Sequence, residues 1–600
     1  MAIFDAYLQE HALTLNARRC PYPKASDRAA WEALPCREAL LRWGDEALKG
    51  YPARPATAFL AFTRTGDRQA DEKPYFARRR LLMGAALAEC VEHNGRYLDA
   101  VVDGLWCVCE ETSWVISAHN GSDHLGARPA KEHPLPDPAN PYVDLFSAQT
   151  AATVAHVLCL LGGELDSVSP IIVRRARREL QARVIQPFLT RDDFWWMGFI
   201  RRDLNNWTPW IVSNAIDTML LTLTDDGLLR EGLARAMRML DRYLAVMPAD
   251  GGCDEGAAYW NMAGGSLLDC LESLRFATGA DFYAEPLIRN IGAFPLNAHI
   301  AGDWYWNFAD CDAKPLLDGE RLYTYGVRTG NAALADLGAR LFSPGIPPRD
   351  TPQINRVLQA LFTDVPRSSL PPATDRTVLL PALEAFAFER NGLYAAVKGG
   401  HNAESHNHND VGTFLLFVDG EPAVVDAGNM VYTAKTFSAE RYTLWNTRSR
   451  NHNLPLVGGM EQRAGADARA TDLQIGANGV EMELAAAYPP GAHIERYRRS
   501  LVNDGAVTLT DTLALSSPLD VQWVFLLRHE PVQSAPGRIV AGNVTIDYDS
   551  SLIYGCEEYP VTDARMARSF PGSLWRVTLT SAPATKHEAV FRLTRSCYDV

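Results

Sequence analysis

The sequence predicts a multidomain α and β protein: an N-terminal α/α toroid (an incomplete barrel) followed by a C-terminal antiparallel β-sandwich. Three observations lead there. The 600 residues exceed what one hydrophobic core holds, so two or more domains are expected. Helical periodicity fills the chain up to about residue 345. Beyond a Pro-rich break, apolar and polar residues alternate as they do in strands.

Apolar residues recur at helical spacing in 142–162, 171–189, 207–224, 228–247, 259–277 and 281–298. Loops rich in Gly, Pro, Asp and Asn separate these segments, as at 248–252. No fixed-period repeat accompanies them, which favours a toroid of helical hairpins over a solenoid. The composition shifts between 344 and 376, where Pro-rich stretches bracket one short helical segment. Strand patterns follow at 385–390, 393–398, 413–418, 422–426, 505–514 and 520–527, with turns such as Asp419–Gly420. The expected domains are a helical toroid over 1–345, a linker over 346–376 and a sandwich over 377–600.

Hydrophobic residues at 47% and charged residues at 22% are ordinary for a globular protein. A net charge of −14 argues against a nucleic-acid protein, and a polyanionic partner would need local Arg, Lys and His clusters. No stretch reads as apolar enough to span a bilayer, so no membrane partner is expected. No secretory signal is visible, which predicts a cytoplasmic location, or a periplasmic one had a signal been removed. The 11 cysteines are irregularly spaced, which suggests reduced thiols rather than a disulfide framework. Cys107 and Cys109 lack a second Cys pair and are read as structural.

The densest chemical signal is Glu404-Ser405-His406-Asn407-His408-Asn409-Asp410, followed by Asp426 and by Asn451-His452-Asn453. Were 406–410 extended, His406 and His408 would point to one side, and two imidazoles with an Asp and a later His could hold Zn²⁺. The plainer reading is a hydrogen-bonded polar turn. A metallo-β-lactamase pattern is a weak rival, because Val411 stands where that pattern needs a ligand. A second string, Gly251 to Asn261, places Asp254 and Glu255 at a helix start, where acids suit the dipole, with Tyr259 close behind. Alone, such a Tyr is more often a packed aromatic. A third string contains Trp195, Trp196, Arg202, Asn205, Asn206, Trp207, Trp210 and Asn214. Clustered indoles offer platforms for sugar rings, with Arg and Asn to bind hydroxyls and carboxylates, although some of these rings would serve a core in any protein. A lone His119 follows Trp114.

Taken together, these strings resemble the heparinase II/III-like polysaccharide lyases. The resemblance is dense over 405–433 and 437–462, and it extends to 205–214, 250–260 and 140–152. It implies a toroid joined to a sandwich, and cleavage of uronic-acid-containing glycans by β-elimination that leaves a 4,5-unsaturated uronate. Tyr259 is similar to the family's general base and acid, His406 to its catalytic histidine, and Tyr432 to a further active-site tyrosine. Asn206, Asn205 and Asn214 all fit the group that neutralises the substrate carboxylate, and the resemblance leaves the choice among them open; members that use His there have no counterpart within 205–214. Asn205, Arg202, Trp207, Glu255, His119 and Arg441 complete the expected substrate-binding set. His408, Asp426 and His452 resemble the ligands of zinc-binding members, where the metal would be structural; no organic cofactor is expected.

Such chemistry must neutralise the uronate carboxylate, remove the C5 proton and protonate the departing O4. Tyr is a poor base at its ordinary pKa of about 10, so cations are needed nearby, and Arg202, Arg441 and His406 are the expected sources. The expected partner is an acidic oligo- or polysaccharide cut exolytically, and a homodimer is left open. A glycoside hydrolase on the same scaffold, pairing Asp254 or Glu255 with Asp310 or Asp312, is the main alternative. A non-catalytic glycan-binding protein is the other.

Overall fold

The computed structural model describes residues 2–121, 134–343, 353–368, 375–438 and 440–596. It divides into two compact units that are not contiguous in sequence. The first comprises 1–247, 261–292 and 318–368; the second comprises 248–260, 293–317 and 369–600. Two excursions from the helical half, 248–260 and 293–317, therefore belong to the unit that carries the strands. A single boundary near residue 345 would have missed both.

The first unit is helical. Leu145–Val168, Trp207–Thr222, Asp226–Leu244 and Gly264–Thr278 fall where periodicity predicts them. Trp207–Thr222 packs against Leu145–Val168 and against Gly264–Thr278, burying Ile211, Val212, Ile216 and Met219. Asp144 starts its helix with a capping box, accepting from the Ser147 amide at 2.7 Å while Ser147 Oγ accepts from the Asp144 amide at 2.8 Å. Leu145–Val168 corrects one expectation: by length and composition it could cross a membrane, yet 83% of its most apolar window is buried inside the protein. Such burial is the pattern of a core helix. Cys20 and Cys159 correct another, because they are joined in a disulfide with Cα atoms 6.6 Å apart.

The second unit is built on two large antiparallel sheets. One runs in the order Ile553–Pro560, Ser573–Thr580, Val521–Leu527, Glu421–Val424, Phe414–Val418, Leu393–Lys398, Ala385–Arg390, Thr377–Leu380. Pro455–Val457 also pairs with Val521–Leu527. The other has eight strands, with Ile494–Asn503, Val507–Leu519 and Ala584–Arg595 near its middle. Phe386, Phe388, Val397, Phe414, Leu416, Trp523, Phe525 and Phe591 form one buried cluster, as facing sheets require. Inside it Arg499 pairs with Asp511 at 2.7 Å and donates to the carbonyls of Gly412 (2.8 Å) and Asn453 (2.7 Å). One buried guanidinium thus anchors the chain just beyond His408 and just beyond His452.

Candidate active site

Every residue of the first cluster belongs to the second unit. Tyr259 comes from the excursion 248–260. Gly256 turns the chain at φ +79°, and a β-carbon there would meet Cys311 Sγ at 2.6 Å, so only glycine fits this approach. A one-turn helix, Ala257–Trp260, follows and presents Tyr259. The predicted helix 259–277 is accordingly interrupted: the chain breaks at Asn261–Ala263 and resumes as Gly264–Thr278.

His406 departs from its predicted geometry. It sits at φ +56°, in the left-handed region, within a turn and not in a strand. Strand alternation therefore does not bring the two histidines together; Asp310 does. His406 Nδ1 lies 3.1 Å from Asp310 Oδ2, and His408 Nε2 lies 3.1 Å from Asp310 Oδ1. Arg441 Nη2 approaches Asp310 Oδ2 at 2.9 Å and also donates to the carbonyls of His406 (2.8 Å) and Asn407 (2.9 Å). Asn429 Nδ2 fixes the Asp310 carbonyl at 2.7 Å. Burial opposes ionisation of Asp310, but its hydrogen bonds from His406 and His408 and the Arg441 charge hold the carboxyl well below the usual range. Because Asp310 is an anion, the facing Nδ1 of His406 carries the proton, which makes Nε2 the basic nitrogen of the neutral ring.

Above this base sit two phenols. The hydroxyls of Tyr259 and Tyr432 share a short hydrogen bond, and the Tyr432 hydroxyl lies 3.4 Å from His406 Nδ1. The Tyr259 and His406 rings are 5.0 Å apart. Burial pushes Tyr432 up to about 12, with the Asp310 charge adding to it. Burial and the Tyr432 partner push Tyr259 further in the same direction. A cation that the sequence did not suggest also stands beside the phenols. Arg565 makes a bidentate pair with Asp312 at 2.7 and 2.9 Å, and its guanidinium lies 5.2 Å from the centre of the Tyr432 ring. Arg441, expected as the cation, instead braces the histidine turn and Asp310. Glu255 is 9% exposed, and burial pushes it up to about 7 against the pull of His406.

Beneath the turn, His408, Asp426 and His452 are buried, with one donor atom from each within 4.8 Å of the others. Their hydrogen bonds test whether a metal suits them. His452 Nε2 faces the Asn446 carbonyl at 2.8 Å and must carry a proton, leaving Nδ1 toward Asp426 Oδ2 at 2.8 Å. Two acceptors at that distance need a positive charge between them, either a second ring proton or a metal ion. His408 Nε2 is committed to Asp310, and its buried Nδ1 has no hydrogen-bond partner. The Asp426 charge holds His452 above the usual imidazole range despite burial, while burial lowers His408. Two imidazoles whose second nitrogens are tied to a carboxylate and a carbonyl, beside a carboxylate, fit a divalent ion of the zinc type. Among the described residues this is the one such cluster, and Cys107 and Cys109 do not form another.

The remaining predicted residues lie in the helical unit. Asn206 is half-buried at the N-cap of Trp207–Thr222 without capping it through its side chain. Asn205 is exposed and accepts from the Trp207 amide at 3.0 Å. Arg202 is exposed. Trp207 is half-buried, tilted against His119 (4.8 Å) and Trp195 (5.1 Å). His119 Nδ1 is held by Asp144 Oδ2 at 2.7 Å, so the residue that caps Leu145–Val168 also orients the histidine. Asn214 is 1% exposed; its amide nitrogen donates to the Trp210 carbonyl one turn back at 2.8 Å, and its buried Oδ1 has no hydrogen-bond partner. Trp195 and Trp196 are likewise core residues rather than platforms. Sequence reasoning placed Asp310 and Asp312 only as hydrolase carboxylates and did not find Arg565. The motif Trp304-Tyr305-Trp306-Asn307-Phe308-Ala309-Asp310-Cys311-Asp312 was the available signal for the first two.

Residues 387–581 match the family described as heparinase II/III-like, C-terminal, a span that contains every site residue of the second unit except Glu255, Tyr259, Asp310 and Asp312. No curated protein matches the chain. Among solved structures, a heparinase III shares 13% identity with a TM-score of 0.63, covering 100% of this chain and 89% of its own. The heparan sulfate lyase HepC from Pedobacter heparinus shares 12% identity with a TM-score of 0.60, covering 94% of this chain and 88% of its own. A chondroitinase AC lyase shares 9% identity with a TM-score of 0.53, covering 94% and 83%. At these identities the likeness is one of fold, and it agrees with the predicted toroid and sandwich.

Proposed function

We propose that this protein, whose residues 387–581 form a heparinase II/III-like C-terminal domain, is a lyase that cleaves uronic-acid-containing glycans by β-elimination. The observation that carries the reading is the linked row of Tyr259, Tyr432, His406 and Asp310, a phenol pair backed by an imidazole whose tautomer a buried carboxylate sets. A phenol can act as base and then as acid without moving, which syn elimination requires. The two hydrogen-bonded phenols carry two protons; one is released to solvent, a loss that the Arg565 charge favours, and the one that stays resides on Tyr432. The resulting phenolate on Tyr259 takes the C5 proton. The C5–H electrons form the C4=C5 double bond, the C4–O4 bond breaks, and the new Tyr259 hydroxyl returns its proton to O4. For a substrate whose C5 proton lies on the other face, His406 Nε2 is the second base.

Glu255 has a supporting part in this reading. A neutral buried carboxyl donates a hydrogen bond, and a donor to the substrate carboxylate lowers the cost of the developing aci-carboxylate. Asn206, Asn205 and Asn214 stay the groups that the resemblance offers for the substrate carboxylate. Zinc held by His408, Asp426 and His452 would supply structural cross-linking of the loops that carry His406 and Tyr432. A hydrolase is less well supported: Asp312 is committed to Arg565, and Asp310 to two histidines and Arg441. The proteins of similar fold include, by name, a heparan sulfate lyase and a chondroitinase AC lyase, which favours a glycosaminoglycan substrate over alginate. Exolytic attack on imported oligosaccharides in the cytoplasm completes the proposal.

The test is incubation with heparan-, chondroitin-, hyaluronan- and alginate-type polymers while following ultraviolet absorbance. Growth of the unsaturated-uronate signal on one of them supports elimination. New reducing ends without absorbance would instead indicate hydrolysis. Disaccharides as the earliest products support exolytic cleavage, and mixed long products contradict it.

A further inference from the structure

The helical unit holds a cavity of about 530 Å³ that none of the chemistry above uses. Asp217, near the far end of Trp207–Thr222, lines it. Ten residues separate Asp217 from Trp207, or about 15 Å along the axis, so the cavity and the Asn206–Trp207 region lie toward opposite ends of one helix. Tyr22, Phe276, Tyr323 and Phe362 contribute half-buried aromatic walls.

The polar lining is unevenly matched. Asp269 is held by Arg321 and Arg356, and Glu272 by Arg328. Asp217 is 6% exposed and has no Arg or Lys partner; its Oδ1 accepts only from Ser273 Oγ at 2.6 Å. His156 is 1% exposed and donates through Nδ1 to the Ala152 carbonyl at 2.8 Å, so Nε2 carries a lone pair. That nitrogen lies 3.9 Å from Asp217 Oδ2, too far for a direct hydrogen bond and close enough for one donor group to serve both. Asn355, 7% exposed, lines the same cavity with its buried Oδ1 unpartnered. Three buried acceptors thus share a chamber in which one carboxyl lacks a counter-charge. Left alone, burial pushes Asp217 up to about 7 and burial lowers His156 to about 4, so neither supplies charge to the other.

We infer that this cavity binds a small organic ammonium ion, with Asp217 as its counter-charge, His156 and Asn355 as further acceptors, and the aromatic rings as walls. An ammonium has three N–H donors and no acceptor, which complements three acceptors. Cation–π contact with the rings adds to the fit. The volume accommodates a ring-sized molecule, so an amino sugar carries the right chemistry. This inference does not depend on the elimination reaction.

Isothermal titration of the full-length protein tests it, using glucosamine as the probe, with N-acetylglucosamine and glucose as uncharged controls. Glucosamine is expected to bind about tenfold or more tightly than either control, as a charged hydrogen bond in a buried site implies. Asp217→Asn should abolish that preference while leaving glycan cleavage unchanged. Equal binding of the three sugars, no binding of glucosamine, or an undiminished preference in Asp217→Asn would each overturn the inference. Should Asp217→Asn fail to fold, the comparison of amine with acetylated amine on the unaltered protein decides alone.

Discussion

Asp310→Asn isolates the group on which the arrangement turns. The substitution keeps the side chain's size and removes its charge. Three interactions depend on that charge: His406 Nδ1 at 3.1 Å, His408 Nε2 at 3.1 Å and Arg441 Nη2 at 2.9 Å. The Arg441 side chain is 11% exposed, so loss of its partner strands a largely buried cation. Breaking a buried pair from one side costs about 3–5 kcal/mol; the retained amide oxygen still accepts one bond, so about 3 kcal/mol is the working figure. For a unit of this size that is a fall in Tm of roughly 6–12 °C. The catalytic effect should be larger, because an amide can present its NH₂ to His406 and favour the wrong tautomer, a change that costs about 10⁴ in the serine-protease triad. A loss of about 10²–10⁴ in kcat is expected for this more exposed ring. Calorimetry reads the first quantity and the rate of ultraviolet absorbance growth the second. A variant that melts within about 2 °C of the parent and turns over within about threefold would refute the assignment of Asp310 as the orienting anion.

Three further outcomes follow from the same geometry. Glu255 is raised in the folded protein from 4.5 to about 7, so its contribution to stability is full below about pH 4.5 and is lost as pH rises through 7. Glu255→Gln should remove that decline, gaining on the order of 1–3 kcal/mol over the parent at pH 8 in urea titrations, and should flatten the alkaline limb of the activity profile. Removing metal with a strong chelator, or His452→Ala, should lower Tm and activity together, with bound zinc measured by elemental analysis falling from about one per chain to none. Arg565→Ala removes the cation 5.2 Å from the Tyr432 ring; the rate should fall about tenfold and the acid limb of the pH profile should move to higher pH.

Much of the β half was legible because alternation and short turns are local signals. Ala385–Arg390 and Leu393–Lys398 form strands at the residues predicted for them. A metal-type cluster was readable from the His-x-His spacing with an Asp and a later His, and the resemblance narrowed it to His408, Asp426 and His452, which only the fold brings together. What escaped the sequence is non-local or backbone-encoded. A left-handed His406 cannot be told from an extended one by composition. The break at Asn261–Ala263 follows a periodic pattern that continues straight through it. Asp310 and Arg565 lie 255 residues apart and reach the phenols from opposite sides of the chain's order, so no motif joins them.

The central claim is that the Tyr259 hydroxyl moves the proton. Tyr259→Phe deletes one oxygen from a partly buried ring and leaves the fold's contacts in place, so substrate affinity should hold within about threefold while single-turnover elimination falls by about 10³ or more. Retention of the parent rate by that variant, with the unsaturated product still forming, would contradict the account.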